Sequence, residues 1–196
     1  MTKLTLHPLT PERWPDLEAL FAARGCSEAR RCWCMYYRVR GKETGFTRPG
    51  DGQPARAKAA LHELAQRDPP PGLIGYRGKQ AVGWISLGPR EDYAKLANSP
   101  TMKPVDATPV WSIVCLVVPS EFRGQGVARE LVAGAVAYAR RRGVRVLEAY
   151  PVDKEQPSPP HAPWFGSLAM FDEAGFDEVA RRKPARPVVR LHLARR

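Results

Sequence analysis

The longest nearly unbroken apolar run in the chain, Val110 to Val118, lies between Pro109 and Pro119. A run of that length with almost no polar alternation reads as a central strand covered on both faces. Beyond it, Val127, Leu131, Val132, Ala135, Val136 and Ala139 recur at helical spacing, which predicts a long amphipathic helix. Arg140-Arg141-Arg142 ends that helix with charge suited to the negative end of its dipole, and Gly143 caps it. Shorter apolar runs predict strands at Leu4 to His7, Leu73 to Tyr76, Ala81 to Leu87, Val144 to Tyr150, Phe176 to Ala180 and Val188 to Leu193. Arg77-Gly78-Lys79-Gln80 is the turn of an antiparallel hairpin.

One helix is expected from Thr10-Pro11, with Thr as N-cap and Pro in the first position, and a second from Pro54 to Arg67, stopped by Asp68-Pro69-Pro70-Pro71. A short helix is expected from Glu91 to Ala97, and a longer one from Trp164 to Ala174, capped by Gly175. Gly25 to Gly52 shows no period and reads as an irregular stretch carrying Trp33, Tyr36 and Tyr37. This order predicts an α/β fold: a single domain over residues 1–196, with one mixed central sheet and helices on both faces.

Composition narrows the function. No apolar run approaches the roughly 20 residues of a membrane span, and Met1-Thr2-Lys3-Leu4-Thr5 lacks the pattern of a secretory signal. A cytoplasmic protein without membrane attachment is expected. The formal net charge is +11, which favours anionic partners, although nucleotide bias in the host genome would produce the same arginine excess. No nucleic-acid motif accompanies the charge, so only weak, salt-sensitive association without sequence preference is expected. Four cysteines are too few and too unevenly spaced for a disulfide scaffold. Cys32-Trp33-Cys34 has one intervening residue and no nearby second pair, so no metal site is expected.

The stretch most suggestive of chemistry is Val117-Val118-Pro119-Ser120-Glu121-Phe122-Arg123-Gly124-Gln125-Gly126-Val127-Ala128. It joins the buried strand to the N-terminus of the long helix, where unpaired N–H groups and the positive dipole end suit an anion. Gly124 and Gly126 remove side chains that would block a phosphate, Arg123 adds charge, and small Ala128 keeps the first turn open. These features predict a pyrophosphate-binding element. A phosphate loop of the Gly-Lys-Ser/Thr type is absent. A dinucleotide fingerprint is nearly matched, with Glu148 as its acidic partner, but Arg129 stands where the third glycine belongs. A plain glycine turn before a helix is the remaining alternative.

Arg123-x-x-Gly126-x-Ala128, between an apolar strand and a long helix, resembles the signature of the GNAT family of N-acetyltransferases, and Ala174-Gly175-Phe176 is similar to that family's helix-to-strand junction. The order of elements agrees over almost the whole chain. Cys32-Trp33-Cys34-Met35 and Arg181-Arg182-Lys183-Pro184-x-Arg186-Pro187 also resemble a bacterial subgroup. The resemblance implies that the amides of Arg123, Gly124, Gln125, Gly126, Val127 and Ala128 hold the pyrophosphate of acetyl-CoA. It further implies that Leu116, Val117 and Val118 pair with the pantetheine arm, and that the thioester lies in a splay between Cys115–Val117 and Tyr150. The implied reaction is direct acetyl transfer to an amine on a small molecule or a protein, and a homodimer is compatible with it.

The match breaks at two positions. The family often has a tyrosine acid where this chain has Phe171, and an asparagine where it has Trp164. Tyr150, Asp153 and His161 are the substitutes judged by reach, each with a duller reading as core-edge aromatic, loop charge and turn residue. Glu148 qualifies as a base only if it faces the cleft; Ser167 is a phosphate contact or a helix-surface serine; Cys115 reads as a small core residue. Trp33, Tyr36 and Tyr37 line the acceptor pocket or pack the loop, and Arg38 and Arg40 suit an acidic acceptor or plain solvent. The rival function is a protein that binds coenzyme A without acyl transfer and acts as a binding or regulatory module.

Overall fold

A computed structural model describes residues 3–39, 53–156 and 163–194. Seven strands form one sheet: β1 (Thr5–Pro8), β2 (Gly72–Arg77), β3 (Gln80–Pro89), β4 (Trp111–Val117), β5 (Val146–Ala149), β6 (Asp177–Lys183) and β7 (Arg186–His192). Their order is β1-β2-β3-β4-β5-β7-β6, antiparallel except for the central β4–β5 pair. The helices are α1 (Trp14–Ala22), α2 (Ser27–Cys32), α3 (Pro54–Leu64), α4 (Val127–Arg141) and α5 (Leu168–Asp172). The α/β architecture with a mixed sheet agrees with the sequence pattern.

The periodic face of α4 packs with α5 residues Met170 and Phe171 onto Val82, Ile85, Leu116 and Leu147. On the opposite face, Trp14, Leu17 and Phe21 of α1 join Ala29 of α2 and Leu61 of α3 over Ile74, Trp84 and Val117. A third cluster, around Tyr93, Val114, Tyr150 and Phe165, closes the far end of the sheet.

Local structure departs from the sequence reading in four places. The helix expected from Thr10-Pro11 begins as a 3-10 turn, Pro11–Arg13, and becomes α1 only at Trp14, without a side-chain cap from Thr10. The stretch read as irregular contains α2, which ends with Trp33 and Cys34 both in the left-handed region at φ 48° and 52°. The expected helix from Trp164 is broken into a 3-10 turn (Pro163–Phe165) and the short α5, because Gly166 sits at φ 76° and interrupts the helical path. The segment expected as one short helix is two 3-10 turns, Arg90–Asp92 and Ala94–Leu96.

The feature that positions the site is the centre of the sheet. β4 pairs with β5 only from Trp111 to Ile113, opposite Leu147 to Ala149. On its other side, Cys115 pairs with Ser86 and Ile113 with Leu87, so Val114 is an extra residue, a bulge in β4. From Val114 onward, the β4 edge that faces β5 has no strand partner. The chain after β5 turns away instead, pairing Val152 with Gly166 and Ser167.

Candidate functional site

A cavity of about 490 Å³ follows this open edge, lined by Val114 to Val118 along one side and by Arg123 and Ala128 at one end. Among the described residues, the N–H groups of Gly124 through Arg129 donate to no protein acceptor; the first helical N–H to do so is that of Glu130, to the Gly126 carbonyl. Six consecutive amides at the positive end of a 15-residue helix make a concave row of donors. Gly124 and Gly126 adopt φ of 74° and 77°, which favours glycine, and an added Cβ on either would meet no atom within 4 Å.

The side chains of the loop have other tasks. Arg123 lines the cavity while its guanidinium donates to the Val118 and Gly25 carbonyls at 3.0 and 2.7 Å. Ser120 donates through its amide and its hydroxyl to the Arg24 carbonyl. Together these bonds tie the α1–α2 turn to the loop and set α2 against the cleft. Gln125 points away, donating to the Glu121 carbonyl and accepting from Arg77. Val127 is buried in the core, so only its amide reaches the loop surface.

Around the rest of the cavity, and at Cys115 of β4, lie features that the sequence reading missed. Cys26, Cys32, Cys34 and Cys115 all line the cavity, and the Cys34 and Cys115 thiols are 3.4 Å apart. Burial pushes the Cys32 thiol up to about 12, and the Cys34 hydrogen bond and burial hold Cys115 well above the usual range. The lining is therefore neutral near pH 7 at Cys32 and Cys115. Tyr36, Tyr37, Trp164 and Gly166 also line the cavity. The Tyr37 hydroxyl has no hydrogen-bond partner among the described residues, and burial raises its pKa above the ordinary tyrosine value, with Arg186 opposing. The aromatic cluster was visible in the sequence, but its convergence with Cys115 across 78 positions was not.

The candidate acids fall elsewhere. Tyr150 was expected beside the cleft, yet it is 1% exposed and does not line the cavity. Its hydroxyl donates to Glu148 at 2.7 Å and lies 2.9 Å from Ser112. Glu148 is fully buried between Arg90 and Arg190, so it does not face the cleft. Asp153 pairs with Arg181 at 2.8 Å, and that hydrogen bond holds its carboxyl below the usual aspartate range, away from the cavity wall. His161 and Arg40 lie outside the described residues. Arg38 is committed to Asp92, Tyr93 and the Pro71 carbonyl. Trp33 stacks on Trp14 in the core. Phe171 is buried edge-on to Phe176, and Ser167 is the N-cap of α5 without a side-chain capping bond.

The sheet thus splits beside a row of free amides at a helix N-terminus. The model of the acetyltransferase (GNAT) family matches residues 19–159, and the chain belongs to that family. No curated protein sequence matches it. Solved structures similar to it include the GNAT domain of S. lividans PAT, at 16% identity and TM-score 0.57, covering 96% of this chain and 89% of that one. Arylalkylamine N-acetyltransferase 2 from Aedes aegypti is similar at 14% identity and TM-score 0.56, covering 96% and 98%. The NatC complex bound to Gag peptide and CoA is similar at 13% identity and TM-score 0.53, covering 98% and 99%.

Proposed function

We propose that this protein transfers an acetyl group from acetyl-CoA to an amine by direct attack within the cleft. The observation that carries this reading is the run of free amides from Gly124 to Arg129, of which Ala128 and the preceding Arg123 line the same cavity as the unpaired edge of β4. The amides would hold the pyrophosphate, with Arg123 at the same end, and the β4 edge from Leu116 to Val118 would hold the pantetheine arm as an added strand. When bound, acetyl-CoA supplies an activated thioester carbonyl and a thiolate leaving group.

The protein's own contribution is to place an unprotonated amine, exclude water and deliver a proton. The cavity is walled mostly by apolar side chains and by thiols that stay neutral, so it does not compete with the amine for a proton. For the acid, this reading favours Tyr37 over Tyr150, Asp153 and His161. Tyr37 has a free hydroxyl on the cavity wall, whereas Tyr150 and Asp153 are engaged away from it. The rival reading, coenzyme A binding without catalysis, draws on Phe171, which has no hydroxyl at the family's usual acid position.

Calorimetric titration with coenzyme A tests the site. Gly126→Asp places a carboxylate against the row of amides and should weaken binding by about 100-fold or more, through lost charge-assisted hydrogen bonds and repulsion. A folded Gly126→Asp protein that binds coenzyme A as the wild type does would refute the assignment. Turnover of acetyl-CoA with an amine panel then separates the enzyme from the silent binder.

A further inference from the structure

Most inward-facing arginines of this basic chain have oxygen partners. Arg38 pairs with Asp92, Arg90 with Glu148, and Arg190 with Glu148 and Asp106, while Arg182 donates to the carbonyls of Thr101, Lys103 and Pro104. Arg186 is different. It is half-buried at the first position of β7, its guanidinium lies 4.0 Å from the centre of the Phe165 ring, and its one hydrogen bond is to the Met102 sulfur at 3.7 Å. Among the described residues no carboxylate or carbonyl oxygen accepts from it. A guanidinium carries five N–H donors, and withdrawing it from water without an oxygen acceptor is costly. Burial accordingly lowers its pKa from the ordinary arginine value, although it remains charged.

Its surroundings connect it to the cleft. Phe165, on which it rests, meets Tyr37 edge-on at 5.7 Å, and Tyr37 lines the cavity. A second cation, Lys95, lies 3.6 Å over Tyr36 at the same end. The carboxylate in the cavity wall, Glu28, belongs to the first turn of α2, three residues from Gly25, whose carbonyl binds Arg123. Arg186 and Lys95 thus both lie behind the Tyr36–Tyr37 side of the cavity wall, each against an aromatic ring.

Building on the acetyltransferase reading, we propose that Arg186 binds a carboxylate of the acceptor, so that the preferred amines are amino acids or similar carboxylate-bearing amines. The guanidinium lies over the Phe165 ring, and its planar fork suits a carboxylate held through two parallel hydrogen bonds.

Matched pairs that differ only by the carboxylate test this: N-acetyltyrosine with N-acetyltyramine, N-acetyltryptophan with N-acetyltryptamine, and N-acetylarginine with N-acetylagmatine. Binding is measured by calorimetry with and without coenzyme A. In the wild type, at least one carboxylate member should bind about tenfold or more tighter than its partner, a difference of about 1.4 kcal/mol. Arg186→Gln should abolish that preference and leave coenzyme A affinity unchanged. Arg186→Lys, which keeps the charge and loses the fork, should retain only part of it and serves if Arg186→Gln does not fold. Equal affinities within every pair, no binding of any pair, or a preference untouched by both variants would each overturn the proposal. If coenzyme A does not bind but an Arg186-dependent carboxylate preference persists, the acetyltransferase reading fails and the anion site stands.

Discussion

A hydroxyl can act as an acid only where a leaving group can reach it, and the two tyrosines at issue differ in that respect. Tyr37 stands on the cavity wall with a free hydroxyl, whereas the Tyr150 hydroxyl is enclosed by Glu148, Ser112 and Arg90. Tyr37→Phe should lower the turnover number about 100-fold, with coenzyme A affinity unchanged. Tyr150→Phe should instead cost about 1–3 kcal/mol of stability, measured by denaturant titration, because it leaves buried polar partners short of a bond. The donor form of Tyr37 exists below its pKa and is lost above it. Since burial raises that pKa, the basic limb of the rate profile should lie above about pH 10 and disappear in Tyr37→Phe. Part of this was legible in the chain. In the strand expected from Val144 to Tyr150, residues 148 and 150 share one face, so a buried Glu148 takes Tyr150 with it. The partners that bury Glu148, Arg90 and Arg190, lie 58 and 42 positions away in sequence, and no local pattern names them.

At the scale of elements, legibility followed length. β4 and α4 were readable because a continuous apolar run and four turns of helical period leave little ambiguity. α2 is six residues long, too short for a period to emerge, and it is fixed by its ties to neighbours rather than by its own pattern. Arg24 and Gly25 are fastened to Ser120 and Arg123, and Trp33 is seated between Trp14 and Phe21. The loop proposed to hold the cofactor could be picked out for the same reason as α4, since it is the helix's own N-terminus. The proposed acceptor end could not, because it is assembled from α2, the 3-10 turn at Pro163–Phe165 and β7. The dependence of the sheet on α4 is measurable. Leu131 is fully buried against the first strands, and Leu131→Ala should destabilise the protein by about 2–5 kcal/mol in urea unfolding.

For the whole molecule, the positive excess is less available than the formal charge of +11 suggests. Arg38, Arg90, Arg182 and Arg190 are spent on internal carboxylates and carbonyls that hold the third cluster and the β5–β7 region together. The same sheet that these contacts brace is stitched at its centre by only three residue pairs between β4 and β5. That seam divides the molecule into a half carrying β1 to β4 and a half carrying β5 to β7. A donor molecule laid along β4 would act as thread across it, so the supply of acyl-CoA would govern how long the protein survives as well as how fast it works. Coenzyme A should raise the melting temperature in proportion to the logarithm of its concentration, by about 2.7 kcal/mol of added stability at a hundredfold excess over its dissociation constant. It should also slow hydrogen exchange most at residues 114–118, and a uniform slowing across the sheet would show that the seam is not where the halves part.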